Sequence, residues 1–559
     1  MAAKDIVPRP ASTLILTRDS PAGLEVFMTQ RTHEAVFMPG FYVFPGGAVD
    51  QADGSEELLS YCYGVDEAKA NRLLGLEQGG LAYLVAAVRE CFEEAGLLLA
   101  CDRRGRPVRI AGPEDAKVLA ALRRRMWAGE ITLLDLCREL DVLLDLQRLA
   151  FFSHWVTPVG PPRRYDTRFF VAAAPPEQTA SCDGEETIAA VWIRPGEALE
   201  RGRRGQFPLA SPTIRTLKAL SAFPDTAALL SHARQQRAVE VRRPRFAMGR
   251  AGVRLFHEGD PPYAEICKVD PHGTGRASYE ILPGVITRLA PTVRRITAPN
   301  PSVMTGPGTN TYLIGRDEIA VIDPGPAIEE HVERIVAAGE GRIRWILTTH
   351  THPDHSPAAR LLKESTGAEV LGMPAPEGDA VQDREFRPDR IPVHGERLRI
   401  DGQTLRVIHT PGHASNHLCF LLEEEGILFS GDHIMQGSTV VINPPDGDMG
   451  AYLRSLHALH EEEFSYIAPA HGFLMDRPYQ VIDRLISHRL ARESKVIAAL
   501  RQLGPADEDA LVKLAYDDVP EVMHPLAKRS LLAHLLKLQE DGEAARDGKR
   551  WRLLPSAVA

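Results

Sequence analysis

Eleven of the chain's twenty histidines fall between His350 and His471, and three of them stand in one run with an aspartate, H-T-H-P-D-H at 350–355. A histidine alone is ordinarily a surface or core residue; a cluster at short spacing asks for a metal. The run follows an apolar stretch, W-I-L-T-T, that reads as a buried strand. In an extended or looping segment alternate side chains face the same way. His350 and His352 can therefore grip one ion, while Asp354 and His355 turn toward a second position a few ångströms away. T-P-G-H at 410–413, S-G-D at 430–432 and P-A-H-G at 469–472 repeat the arrangement. In each, an apolar strand ends in a loop carrying His or Asp, so the polar tips converge at one sheet edge. His394 and His457 lack that context and read as surface residues.

The chain around this cluster is α/β and multidomain; its 559 residues exceed what one core supports. Residues 11–47 alternate apolar and polar, as in S-T-L-I-L-T and L-E-V-F-M-T, and predict strands and turns. Residues 81–100 predict an amphipathic helix and 115–149 are helical in pattern. Strand-like runs return at Phe169–Ala173 and Ile188–Ile193, and a first domain spans 1–225. Residues 226–280 are rich in Pro, Arg and Gly and read as a linker. Short β runs alternate with helices over 281–483. Residues 484–559 hold three helical segments before D-G-K-R-W-R-L-L, a hairpin-like tail, which together read as a winged helix.

The H-x-H-x-D-H run with its G-H, G-D and A-H-G partners resembles the metallo-β-lactamase superfamily. The likeness extends to the β-lactamase-like protein 2 family through P-N-P-S-V-M-T-G-P-G-T-N-T-Y-L at 299–313, I-S-H-R-L-A-R-E at 486–493 and H-P-L-A-K-R-S-L-L-A-H-L-L-K-L at 524–538. About half the chain is covered. The resemblance implies an αββα sandwich with two zinc ions. His350, His352 and His413 would hold the first, Asp354, His355 and His471 the second, and Asp432 would bridge. Asp354 would also orient the attacking hydroxide. His417 is a candidate either for supporting the ligands or for the substrate side, Asp323 for a supporting carboxylate, Ser430 for packing or a supporting hydrogen bond, and His433 falls outside the set. The resemblance also implies a winged-helix tail.

In A-A-V-R-E-C-F-E-E-A-G-L at 86–97, Glu90, Glu93 and Glu94 share one helical face, where like charges repel unless a cation such as Mg²⁺ or Mn²⁺ bridges them. With F-P-G-G upstream this resembles the Nudix box, implying an α/β/α sandwich in which Glu93 and Glu94 are catalytic. Arg89 lies 42 positions after Gly47, a departure from the box's short interval, and its middle glutamate has no secure counterpart. That insertion resembles the branch of peroxisomal CoA diphosphatases, as do F-M-P-G-F-Y-V-F-P-G-G at 37–47 and R-R-Y-D-T-R-F-F at 163–170. Arg31 would bind substrate there, although the second arginine of the CoA signature is Val36.

A net charge of −10 argues against a general nucleic-acid-coating role. Seven cysteines without a C-x-x-C pair suit reduced thiols. Met1 to Ser20 carries charges and no apolar core, so a cytoplasmic protein without signal peptide is expected, and no stretch reads as a membrane span. Two substrate classes compete for the zinc site. One is a thioester or ester of a small anionic molecule, acyl-CoA or a glutathione adduct; the other is single-stranded RNA, which the β-lactamase-like protein 2 resemblance implies. Residues 281–483 carry 17 Lys/Arg against 28 Asp/Glu, and the tail from Arg484 carries 13 against 11. A phosphate backbone normally needs a concentrated basic footprint, which favours the small substrate. A homo-oligomer is expected, with the winged helix as a wall of the cleft or a dimer contact.

Overall fold

A computed structural model describes residues 6–35, 38–108, 112–182, 184, 186–236 and 238–555. Val36 of the CoA-type signature lies outside the described residues. The chain forms two compact units, Met1–Pro244 and Arg245–Ala559. Among the described residues no helix is long and apolar enough to cross a membrane.

The first unit is built on a mixed sheet ordered Thr187–Ile193, Gly23–Arg31, Arg9–Ser20, Tyr165–Ala173, Ala150–Val156 and Val241–Arg242. Side-chain alternation along Arg9–Ser20 builds two cores at once. Leu14 and Leu16 pack with Leu84, Val88 and Phe92 of the helix Gly80–Ala95. Ile15 points the other way, into a core with Leu217 and Leu229 of the helices Ser211–Leu220 and Thr226–Gln235. This is an α/β/α sandwich. The helix Gly80–Ala95 stops one residue before Gly96, whose φ of +70° closes it with an N–H donated to the Phe92 carbonyl. The helical pattern at 115–149 resolves into Pro113–Trp127 and Leu133–Leu140, followed by a short strand, Leu143–Asp145.

The stretch 226–280 is folded, which corrects its reading as a linker. Asp225 caps the helix Thr226–Gln235, and Val241–Arg242 adds a parallel strand beside His154 and Trp155. In the second unit, Arg245–Gly249 and Gly252–Phe256 form a hairpin followed by the helix Tyr263–Val269. That helix buries Glu265 in a two-pronged pair with Arg295 at 2.6 and 2.8 Å, and Glu265 also accepts the Leu474 N–H. Pro and Gly mark turns there, and the turns join elements too short to show a period.

The second unit carries two six-stranded sheets. They pack face to face through Val293, Tyr312, Ile322 and Leu347 on one side and Leu405, Leu418, Phe420 and Phe429 on the other. Helices Glu329–Gly339 and Ala358–Thr366 cover the first sheet; Met449–His460 and the start of Pro478–Leu503 cover the second. The result is an αββα sandwich. The helix Pro478–Leu503 runs on without a break: Ile482 and Leu485 lie in the sandwich, Val496 and Leu500 in the core of the tail. The expected boundary at 483/484 therefore falls inside a helix. Glu508–Ala515, His524–Glu540 and the hairpin of Ala544–Asp547 with Arg550–Leu553 complete a winged helix around fully buried Trp551.

Candidate metal centre

Every histidine and aspartate of the H-x-H-x-D-H run and of the three later loops meets at one edge of the αββα sandwich. The strand Ile343–Leu347 brings in His350, His352, Asp354 and His355, Gln403–His409 leads to His413, Ile427–Gly431 ends beside Asp432, and Tyr466–Pro469 precedes His471. His350 Nε2 and His413 Nε2 lie 2.8 and 3.0 Å from His352 Nδ1. One ring nitrogen has a single lone pair or a single proton, so it cannot satisfy two such neighbours. A shared cation can, since nitrogens at ~2.0–2.1 Å from a tetrahedral zinc sit roughly 3.3 Å apart. His413 Nδ1 donates to the Val441 carbonyl at 2.8 Å, which leaves its Nε2 lone pair facing the other two rings.

A second group adjoins the first. His471 Nε2 lies 3.3 Å from Asp354 Oδ2 and 3.2 Å from Asp432 Oδ1; His355 Nε2 lies 3.5 and 3.6 Å from the same two carboxylates. Asp432 Oδ2 is also 3.8 Å from His413 Nε2, so this carboxylate faces both groups. His355 Nε2 and Asp432 Oδ1 are buried and make no hydrogen bond of ordinary geometry among the described residues. Such orphaned atoms cost about 1–3 kcal/mol each unless something pairs them. Among the described residues, the groupings of His, Cys, Asp or Glu atoms within 4.8 Å that suit a metal all draw on these seven side chains.

The electrostatics agree with that donor set. Burial, reinforced by His355 and His352, holds His350 well below the usual imidazole value, and burial with His413 brings His352 to about 3. Neutral rings are what a metal requires. On the other side burial opposes charge on His471, yet Asp432 and Asp354 raise it to about 9. Burial likewise opposes charge on His355, and Asp354, Asp432 and Asp323 overcome it. The carboxylates thus demand positive charge at this point, which a divalent cation supplies on displacing the protons.

Neighbouring residues fix the geometry. Asp323, held at φ +49°, accepts the Thr349 N–H at 2.7 Å, the Thr349 hydroxyl at 2.8 Å and His355 Nδ1–H at 2.9 Å, so it supports the site without facing it. Of the two roles expected of His417, its contacts are those of the supporting one. It is fully buried beneath the centre, where its Nε2 accepts the Asp432 N–H at 3.2 Å and its Nδ1 pairs with the Thr410 hydroxyl at 2.9 Å. Ser430 donates to the Ile434 carbonyl. One network was not expected. Thr351, between the two histidines, bonds Gln382 and Asn416, and Gln382 donates to Asp446, which also accepts the Ser415 N–H. The available signal was the alternation itself: a side chain between two outward histidines must point into the fold.

Gly431 makes the S-G-D turn possible. Its φ is +50°, and a Cβ there would lie 2.6 Å from both His417 Nε2 and Thr349 Oγ1. Left-handed backbone and overpacking together predict that Gly431→Ala destabilises the second unit by about 2–4 kcal/mol. Chemical denaturation measures this, and a change below ~0.5 kcal/mol would contradict the steric argument.

The carboxylate helix of the first unit holds a different arrangement. The insertion after Gly47 loops out, and the glycine pair returns against the helix: Gly46 N–H donates to Glu94 Oε2 at 3.1 Å, and a Cβ on Gly47 would lie 2.3 Å from Glu90 Oε1. Arg89 bonds Glu90 at 2.9 Å and Glu93 at 2.8 Å, and pairs in two-pronged fashion with buried Asp53 at 2.8 and 3.0 Å. Asp53 is a partner of Arg89 that the reading of the sequence did not name. Burial pushes Glu94 well up and Glu90 to about 7. Glu90, Glu93 and Glu94 do not come together as one ligand cluster: Arg89 engages Glu90 and Glu93, while Glu94 turns to the Gly46 N–H. Arg31 ends the strand Gly23–Arg31 near enough to lower Glu94, and its buried Nε makes no hydrogen bond among the described residues.

An αββα sandwich with a His/Asp cluster at its sheet edge, and an α/β/α sandwich with a glycine pair on a carboxylate helix, define a metal-dependent hydrolase of two catalytic folds. Comparison with known families agrees: residues 304–471 match the metallo-beta-lactamase superfamily, 62–220 the NUDT19 Nudix domain, and 508–551 the beta-lactamase associated winged helix domain. An atrochrysone carboxyl ACP thioesterase of Aspergillus chevalieri is 32% identical over 49% of this chain and 90% of its own length. A beta-lactamase-like protein 2 homolog of Drosophila melanogaster is 31% identical over 46% and 91%. The crystal structure of a metallo-beta-lactamase family protein from Thermus thermophilus aligns at 25% identity and a TM-score of 0.41, over 48% of this chain and all of that one. The chain belongs to the metallo-β-lactamase superfamily.

Proposed function

We propose that the second unit hydrolyses thioester or ester bonds of small anionic substrates, acyl-CoA or glutathione adducts, with two zinc ions held by His350, His352, His413, Asp354, His355, His471 and Asp432. The observation that carries this is the pair of adjoining donor groups with the Asp432 carboxylate between them. When bound, a zinc pair supplies a nucleophilic hydroxide at neutral pH and polarises the carbonyl under attack. Asp354 is the more open carboxylate, 27% exposed against 11% for Asp432, and orients the attacking group. The thioesterase name of a relative at 32% identity supports a thioester.

Cleavage of single-stranded RNA is the second reading, favoured by the winged helix and the likeness to the beta-lactamase-like protein 2 homolog. The balance of 17 basic against 28 acidic residues over 281–483 weighs against it. For the first unit we infer hydrolysis of CoA-type or nucleoside diphosphate derivatives with Mg²⁺ or Mn²⁺ on the face of Glu90, Glu93 and Glu94, where the cation would take over the positive charge that Arg89 supplies to Glu90 and Glu93.

A panel of acyl-CoAs, acyl-glutathione, CoA and single-stranded RNA, run from about 50 to 200 mM salt, tests the choice. Thioester turnover is expected to change by less than about threefold, since only a few ligand charges are screened. A protein gripping 6–10 phosphates would lose roughly 10³–10⁵ in affinity over that range. Charge reversal at Lys528, which pairs with Asp509, and at Arg529 is expected to leave thioester turnover unchanged. RNA cleavage at low salt, lost in ligand variants and with every thioester inert, would overturn the reading.

A further inference from the structure

The helix Pro478–Leu503 ties the winged helix to the metal centre through one buried guanidinium. Arg489 is 3% exposed and donates to the Val440 carbonyl. Its guanidinium carbon sits 5.4 Å from the centroid of the Tyr452 ring. The next carbonyl along, Val441, is the one that accepts His413 Nδ1–H. The backbone of Tyr452 lies against the His413 loop, where a Cβ on Gly412 would fall 2.4 Å from Tyr452 Cα, while its hydroxyl donates to the His433 carbonyl, beside Asp432, at 3.0 Å. The loop of His413 is otherwise pinned by Asp448 N–H on the Gly412 carbonyl and the Ser455 hydroxyl on the Pro411 carbonyl. One helical turn further, Arg492 behaves differently. It pairs with Asp518 at 2.7 and 3.1 Å and with the Ala515 carbonyl, so it serves the tail alone.

We infer that Arg489 is a positioning residue for His413: by fixing the Val440–Val441 segment it sets the tautomer and direction of that ring, and the helix of the tail is thereby part of the scaffold of one donor group. A buried guanidinium is costly unless its donors are engaged. Here one Nη donates to a carbonyl that borders the ring's own acceptor, while the buried Nε makes no hydrogen bond among the described residues. Outer partners of a metal-ligating histidine typically change affinity 10–100-fold when removed. Among the described residues no hydrogen bond or ion pair joins Arg489 to Asp354, His355 or His471, so that donor group should be spared.

This inference rests on the metal reading above, and the test separates the two. In the full chain, Arg489→Met keeps the apolar stem and removes the donors. Zn²⁺ titration should show one of two equivalents weakened roughly 10–100-fold and the other unchanged, with partial recovery in Arg489→Lys. Arg492→Met, which loosens the tail, should weaken neither selectively. Backbone hydrogen exchange in metal-free protein reads the same effect without metal: Arg489→Met should speed exchange at 440–443 and 412–414, and Arg492→Met should not. If Arg489→Met folds poorly, Arg489→Gln should show a weaker form of the same pattern, because it keeps a polar head but shortens the reach to the Val440 carbonyl. Wild-type protein without zinc affinity would sink the metal reading, while the exchange pattern would still decide the positioning role. Exchange and zinc affinity in Arg489→Met equal to wild type, or identical to Arg492→Met, would overturn it.

Discussion

Replacing Asp432 by alanine is expected to lower zinc-dependent turnover more than about 100-fold and to reduce bound metal from about two equivalents to one or fewer. The expectation follows from where the carboxylate sits. Its two oxygens face His471 at 3.2 Å, His355 at 3.6 Å and His413 at 3.8 Å, so both donor groups lose an anionic ligand in one substitution. The loss also changes the charge balance. Asp432 is the strongest attraction that lifts His471 to about 9 against burial. Without it the cluster demands less positive charge, and the affinity for any cation falls. His457, exposed on the helix Met449–His460, is the control: its replacement should change neither metal content nor rate. Elemental analysis beside steady-state kinetics makes the measurement. Unchanged metal and unchanged activity in the Asp432 variant would remove the centre from the mechanism.

Which parts of this arrangement a reader of the sequence could reach depends on how local their cause is. The H-T-H-P-D-H run was legible because alternation on an extended segment and the need of clustered imidazoles for a cation both act over a few residues. The strands of the sandwich were legible for the same reason, being short apolar runs between turns, whereas their αββα layering followed only from the family resemblance. The role of His417 stayed open between supporting the ligands and facing substrate because its side depends on Gly431 at φ +50°, which brings the Asp432 N–H onto its Nε2. Periodicity cannot encode that. Asp53 was missed because its partner, Arg89, is 36 positions away and its element is a single 3₁₀ turn. The stretch 226–280 misled for a different reason. Proline and glycine do mark its turns, but what folds it is tertiary: Leu229 entering a core, and Glu265 meeting Arg295 thirty positions on. Linker and compact turn-rich structure have the same composition, and only long-range partners tell them apart.

The double variant Glu93→Gln, Glu94→Gln is expected to abolish divalent-cation-dependent diphosphate cleavage, below about one hundredth of wild type, while zinc-dependent hydrolysis stays within about twofold. The two activities would use different cations in separate compact units. The substitution is chosen so that folding is not the cause. Burial already pushes Glu94 well above the usual carboxylate range, so the folded protein favours its neutral form there. Glutamine is a neutral isostere, and its carbonyl oxygen can still accept the Gly46 N–H that Glu94 accepts at 3.1 Å. Glu93 gives up an ion pair with Arg89 at 2.8 Å, but that guanidinium keeps Asp53 and Glu90, so the loss is about 1 kcal/mol or less. What the variant does remove is the negative charge of Glu93 and the capacity of Glu94 to ionise when a cation binds, and anionic oxygen ligands are what a hard cation needs. Thermal unfolding should move little, and Mg²⁺ should no longer raise the unfolding temperature of the first unit. Diphosphate cleavage that survives in the double variant would exclude Glu93 and Glu94 from the reaction, and a parallel fall in zinc-dependent hydrolysis without unfolding would show that the two units are coupled.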